Sequence, residues 1–228
     1  MDAVDWHEAI SAQFAQKYAS SPAFRERLAL WRDLMSPHLR PGVAVLDAGC
    51  GPGALALPAA ALGASVTAVD ASAAMLAVAR TRAQGMQIEF LLGRIGDPAL
   101  LADRRFDLVL CSSVLEYMDD LDAALAWLRL RLAPGGRLLV SMPNGDSWHR
   151  RLEKRVYRLT GRPRYYAFVR HAPRVAQFRQ TLAAHGLAIE AIRHYGALRL
   201  LRALPLIGAR ADRVEPLFVA VCTPASSE

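Results

Sequence analysis

The string Asp47-Ala48-Gly49-Cys50-Gly51-Pro52-Gly53 follows the apolar run Val43–Leu46 and precedes a stretch of small residues. Glycines at alternate positions permit a tight turn and a close backbone approach to a ligand. A helix beginning just beyond would turn its unpaired N–H groups toward that ligand. Two ligand classes suit the string. Gly49-x-Gly51-x-x-Ala54 satisfies the dinucleotide fingerprint, in which such a loop cradles a pyrophosphate. Asp47, two residues before the first glycine, favours the other class, because a carboxylate there repels a pyrophosphate and attracts an ammonium or sulfonium. A plain turn needing glycine only for packing is the third reading.

Val66-Thr67-Ala68-Val69-Asp70 reads as a strand with a carboxylate at its C-terminal end, 23 residues after Asp47. That separation is one strand-helix-strand unit. Ligands of open parallel sheets bind beyond the carboxyl ends of the strands, so both acids are expected on one crevice. There Asp70 can accept two hydrogen bonds from a ribose diol; the alternative is a solvated strand-end aspartate.

The elements that must position these acids are legible in the pattern. Trp6, Ile10, Phe14 and Tyr18 form one helical stripe, and Phe24, Leu28, Trp31 and Met35 form another. Pro41-Gly42 closes this segment. Beyond it the chain reads strand, glycine turn, helix and strand. A Ser72–Ala83 helix follows, with Ser72 as N-cap. IEFLL and FDLVLC read as strands, Asp119–Asp122 opens a helix ending at Pro134-Gly135-Gly136, and RLLVSM is a fifth strand. Such alternation means a parallel sheet covered on both faces. Val175–His185 reads as a helix, and LAIEAIRHY and LFVAVCT as two final strands.

Composition agrees. The chain has 228 residues, 53% hydrophobic and 21% charged, with 13 Pro and 15 Gly. This excludes disorder and collagen-like repeats and suits one core. Cys50, Cys111 and Cys222 are odd in number and lie in apolar runs, which argues against a disulfide framework or zinc site and fits a reducing compartment. The acidic opening MDAVDWHEAISAQF has no apolar signal core, so a cytoplasmic location is expected. The apolar stretch from Gly51 is interrupted by Pro58, Gly63, Ser65 and Thr67 and reads as turn, helix, turn and strand rather than a membrane span. The net charge is +7, and residues 149–174, with nine Lys/Arg against Glu153 alone, carry +8 of it.

VLDAGCGPG, VTAVD, FDLVLCSSVLEYMDD and LAPGGRLLVSMPN, in that order over Val43 to Asn144, resemble the class I S-adenosylmethionine-dependent methyltransferases. The resemblance implies an α/β fold: a doubly wound, mostly parallel seven-stranded sheet with N-terminal helices and a basic helical insertion after strand five. It implies a single domain over 1–228, with a helical cap (1–40), a cofactor-binding core (41–144) and an acceptor-side segment with the last strands (145–228). S-adenosylmethionine is the implied cofactor. Asp47, Gly49, Cys50, Gly51 and Gly53 would hold its methionine part, and Asp70 the ribose, with Ala71 and Met75 beside the adenosine. Cys111 and Ser112 would line the site near the transferable methyl. Where the family often has Gly-Asp for the adenine amine, this chain has Gly93-Arg94, so the backbone at Arg94 and Ile95, or the nearby Asp97, would take that contact.

The span from VTAVD through FVRH is most similar to the ubiquinone-pathway O-methyltransferases. Those often carry acid-x-x-acid-His for a divalent metal after the fourth strand. The run here is Ser113-Val114-Leu115-Glu116-Tyr117, which keeps only Glu116, so no catalytic metal is expected. His149, His171 and Tyr166 lie where the family places acceptor-binding residues, and either histidine can act as a base near neutrality or be a surface residue. The expected acceptor is a small, apolar or lipid-like molecule methylated at oxygen. Residues 149–174, with Leu152, Val156 and Leu159 on one stripe among arginines, suit an anionic membrane surface, a pocket cap or a solvated helix face. ALRLLRALPLIGAR repeats that theme. Methylation of RNA or protein, a catalytically silent binding protein and a nicotinamide oxidoreductase are the alternatives. Nucleic acid is disfavoured because no separate RNA-binding module or base pocket is visible.

Overall fold

The computed structural model describes residues 3–10, 16, 20–196 and 211–225. Phe14, Tyr18 and the apolar-basic run 197–210 lie outside them.

Side-chain alternation builds the sheet. Along β1 (Ala44–Ala48), Val45 faces one core and Leu46 and Ala48 the other. In β2 (Ser65–Asp70), Val66 and Ala68 oppose Val69, and in β4 (Phe106–Cys111), Leu108 and Leu110 oppose Val109 and Cys111. Both faces are apolar, as a sheet covered on both sides requires. With β3 (Ile88–Leu92), β5 (Leu132–Pro143), β6 (Leu187–Tyr195) and β7 (Leu217–Pro224), the order is β3-β2-β1-β4-β5-β7-β6. β7 runs antiparallel to both β5 and β6, and the other pairings are parallel. The sheet is therefore the doubly wound, mostly parallel seven-stranded one that the resemblance implies.

Among the described residues, the helices are α1 (Ala3–Ala9), α2 (Pro22–Met35), α3 (Ala56–Ala61), α4 (Ala73–Arg82), α5 (Leu121–Leu130), α6 (Trp148–Thr160), α7 (Val175–Ala184) and the single turn α8 (Ala211–Val214). Trp31 and Met35 of α2 pack with Ala56 and Ala59 of α3 and Leu76 of α4 on one face. Leu125 and Leu128 of α5 pack with Phe178 and Leu182 of α7 on the other. The expected Ser72 cap forms, its Oγ accepting the Met75 N–H at 3.1 Å, and in the acidic opening of α5 Asp120 Oδ1 accepts the Ala123 N–H at 2.9 Å.

One boundary differs from the sequence reading. α5 stops at Leu130, and Pro134-Gly135-Gly136 lies inside β5. Phe106 pairs with Leu132 while Leu108 pairs with Arg137, so residues 133–136 bulge out of the ladder. Proline lacks the N–H that regular pairing needs, and Gly135 takes φ +72°, so the strand accommodates the motif only as a bulge. No helix among the described residues is long and apolar enough to cross a membrane.

Candidate active site

β1 lies between β2 and β4, and their carboxyl ends open into a cavity of about 460 Å³. Such a crevice arises where strand order reverses, because the connections on either side leave in opposite directions.

The loop after β1 is held from beneath. Gly49 N and Cys50 N both donate to Val69 O, at 2.8 and 2.9 Å, and Arg82 donates to Pro52 O at 2.6 Å. Gly49 has φ +75°, and a Cβ there would stand 2.2 Å from Val114 Cγ2. Gly51 has φ +51°, but a Cβ there would meet nothing within 4 Å. The first glycine is therefore required by packing, and the second presents bare backbone to the cavity.

Asp47 and Asp70 both line this cavity. Asp47 is 1% exposed, and its Oδ2 has no hydrogen-bond partner. Burial pushes its carboxyl up to about 7; a backbone N–H from Ala56 opposes the rise and the nearby charge of Asp70 adds to it. An unpartnered buried carboxylate is costly unless something cationic completes it. Asp70 is better satisfied: Oδ2 accepts from Gly51 N and Oδ1 from Ser72 N.

Gly49, Cys50, Gly51, Ala71, Met75, Arg94, Ile95 and Ser112 join the two acids on the cavity wall. The Cys50 thiol is raised well above its ordinary range by burial and by the neighbouring acids, so it stays a thiol. Gly53 and Cys111 stand off the wall. Gly53 makes room for Leu57 and Ala79, since a Cβ there would come within 2.3 Å of Leu57. Cys111 points into the sheet core with Val109 and Val140, and Ser112 is the first residue of that segment to reach the cavity.

Neither histidine proposed as a base stands on this wall. His171 lies close by, but its Nε2 is 2.9 Å from the Met118 carbonyl, which ties the ring to backbone. His149 lines a separate recess of about 170 Å³ with Arg150, Glu153 and Tyr165. α6 carries it there because Ser147 Oγ donates to Val214 O and Arg150 to Pro216 O, seating the helix over the approach to β7.

The wall also holds residues that were not expected, Arg27, Val4, Tyr117 and Arg170 among them. Arg27, from α2, donates to Ser112 Oγ at 2.5 Å, and Val4 reaches in from α1. Tyr117 and Arg170 complete that side. Arg170 pairs with the exposed Asp119 at 2.8 Å, and its backbone N–H donates to Glu116 O. One signal for Arg27 was available: it precedes Trp31 by one helical turn and so shares the buried face of an amphipathic helix. Glu116 is 3% exposed with Oε2 unpartnered; burial raises its carboxyl, and Arg27 and Arg150 pull the other way. Among the described residues, no group of three or more His, Cys, Asp or Glu is arranged to hold a metal ion.

Residues 46–140 match the family profile described as "Methyltransferase domain". The ubiquinone biosynthesis O-methyltransferase of Dinoroseobacter shibae (strain DSM 16493 / NCIMB 14021 / DFL 12) is 40% identical over 115 residues, covering 50% of this chain and 46% of that protein. The protein of the same name from Xanthomonas axonopodis pv. citri (strain 306) is 36% identical over 115 residues, covering 49% and 48%. The chain thus spans about half the length of the curated relatives it matches. Among solved structures, magnesium protoporphyrin IX methyltransferase from Synechocystis PCC 6803 with bound SAH aligns at TM-score 0.74 and 19% identity over 96% of both chains. An S-adenosylmethionine-dependent methyltransferase from Thermotoga maritima aligns at 0.66 and 18%, over 98% of this chain and 99% of that one. These two likenesses establish the fold.

Proposed function

Because residues 46–140 match the methyltransferase-domain profile, we propose that the chain transfers a methyl group from S-adenosylmethionine to a small acceptor. The observation that carries this reading is Asp47: a buried carboxylate with an unpartnered oxygen on a cavity wall, beside a glycine whose backbone is bare. That pair fits a ligand combining a cationic methionine end with a nucleoside.

When bound, S-adenosylmethionine supplies a methyl group on a positively charged sulfur. Asp47 holds the ammonium of its methionine end, and Gly49–Gly51 let the backbone approach. Asp70, clipped to Gly51 N and Ser72 N at the rim of the cavity, takes the ribose hydroxyls. Ala71, Met75 and Ile95 enclose the adenosine. Positioning supplies much of the rate in an in-line displacement, on the order of 7–11 kcal/mol for a well-aligned pair.

The acceptor in this reading is small, apolar or lipid-like and methylated at oxygen, which the names of the relatives support. Apolar wall residues Val4, Leu28 and Met118 agree. A cytoplasmic location and peripheral contact with an anionic membrane through residues 149–174 belong to the same proposal. α6 supports the contact because its polar face is the packed one. Arg150, Glu153 and Tyr157 meet Tyr165 and Tyr166, while Trp148, Leu152, Val156 and Leu159 face outward beside Arg151, Lys154, Arg155 and Arg158.

Calorimetry with S-adenosylmethionine and S-adenosylhomocysteine tests the donor. Saturable binding of both is expected, and binding of neither defeats the reading. Mass spectrometry of a cell extract incubated with the protein and methyl-labelled donor then identifies the acceptor.

A further inference from the structure

We propose that the acceptor is a carboxylic acid bearing an apolar body, that its carboxylate is the group methylated, and that Arg27 of α2 holds it for attack. This rests on the donor reading above and names the acceptor for the same cavity.

Three observations converge. First, Arg27 reaches the cavity from outside the sheet and is fixed there by its 2.5 Å hydrogen bond to Ser112 Oγ, immediately beyond β4. A guanidinium is a planar, permanently charged fork that matches a carboxylate. Second, Arg170 stands on the same wall, and its ionic partner Asp119 is 84% exposed, so an incoming anion competes with a solvated carboxylate rather than a buried one. Tyr117 lines this side as well, and burial raises its phenol, which keeps the O–H a donor. Third, among the described residues that line the wall there is no histidine to serve a neutral acceptor as base. His149 and His171 are off the wall, and His171 is tied to Met118 O.

An alcohol, phenol or ammonium must lose a proton before or during transfer. A carboxylate is already ionised at neutral pH. In the transfer, a carboxylate oxygen forms the new bond to the methyl carbon, and the sulfur–methyl bond breaks with its electron pair left on sulfur. The carboxylate and sulfonium charges both vanish, giving a neutral methyl ester and a neutral thioether. No proton moves, so the transfer needs no base. The remaining lining, Val4, Leu28, Val114 and Met118, suits an aliphatic or aromatic body behind the carboxylate.

The test uses the full chain, a small-molecule extract and donor labelled in the methyl group. A methyl ester releases volatile labelled methanol in mild alkali, whereas methyl ethers and methylamines keep their label. We expect most of the protein-dependent label to become volatile. With decanoate as a defined probe and S-adenosylhomocysteine present, calorimetry should show binding that 1-decanol and decylamine do not share. Arg27→Gln should raise the KM for decanoate at least tenfold and leave S-adenosylhomocysteine affinity within about threefold. Arg27→Lys should recover part of the loss, which a merely structural arginine would not predict. Alkali-stable label, or preference for decanol or decylamine, overturns the proposal while the donor reading stands. Failure to bind S-adenosylhomocysteine overturns both.

Discussion

Asp70 Oδ2 accepts the Gly51 backbone N–H at 2.7 Å, so the acid ending β2 is clipped to the loop leaving β1. Its other oxygen accepts from Ser72 N at 2.9 Å, at the start of α4. One carboxylate thus orders both loops around the proposed ribose position. Asp70→Ala should weaken S-adenosylhomocysteine binding by about 1–3 kcal/mol, the range for a lost charged hydrogen-bond partner. It should also lower the Tm, because two backbone donors lose their acceptor. Calorimetry with unchanged affinity would place the ribose elsewhere.

Asp47 makes the free protein sensitive to pH. Its folded-state value of about 7 lies above the ordinary 3.8, so the folded chain retains a proton that the unfolded chain releases. Stability from this group is therefore lost as pH rises from about 4 to about 7 and levels off above that. Asp47→Asn removes this dependence. The variant's stability relative to the parent should improve by about 2–3 kcal/mol between pH ~5 and ~8 in urea unfolding. A difference independent of pH would contradict the burial argument.

The same group predicts how donor binding titrates. A cation binds the ionised carboxylate, so affinity for S-adenosylmethionine should rise with pH up to about 7 and then flatten. Asp47→Asn should bind weakly at every pH. Titration calorimetry in buffers of differing ionisation heat would read the proton released on binding below that point.

Gly49 and Gly51 separate folding from binding. Gly49→Ala drives a methyl into Val114 and should cost several kcal/mol, read as a sharp fall in Tm. Gly51→Ala meets empty space and carries only the strain of φ +51°, about 1–2 kcal/mol. It should fold and yet lose S-adenosylhomocysteine. Full binding by the Gly51 variant would show that the loop does not cradle the donor.

For α6, Leu152→Ser with Leu159→Ser should leave the Tm unchanged, because these side chains are 51% and 86% exposed. The pair should abolish co-sedimentation with phosphatidylglycerol vesicles, and binding by the parent should fall as salt rises. Salt-insensitive association would argue against an electrostatic anchor.

What was legible in the sequence is what local geometry decides. Asp47 and Asp70 end strands whose alternation is unmistakable, and Ser72 caps the helix that follows. Cys111 was misplaced by one position, because strand parity turns it into the core and leaves Ser112 to emerge. Gly53 belongs to the same turn as Gly51, but its bareness serves Leu57 across the next helical turn. Arg27 reaches Ser112 across 85 residues of chain, a pairing that no spacing rule encodes. His149 was drawn off by contacts with residues 214–216, equally remote in sequence.

Trp6 of α1 rests against Phe168, with ring centroids 5.6 Å apart, so two segments distant in the chain meet beside the cavity wall that Val4 and Arg170 line. Neither contributes a strand, and the floor formed by β1, β2 and β4 is complete without them. In the proposed reading, grip on the donor and choice of acceptor fall to separate parts of the molecule. On that reading, exchanging α1, α2 and residues 164–171 retargets the chemistry while the floor keeps its donor.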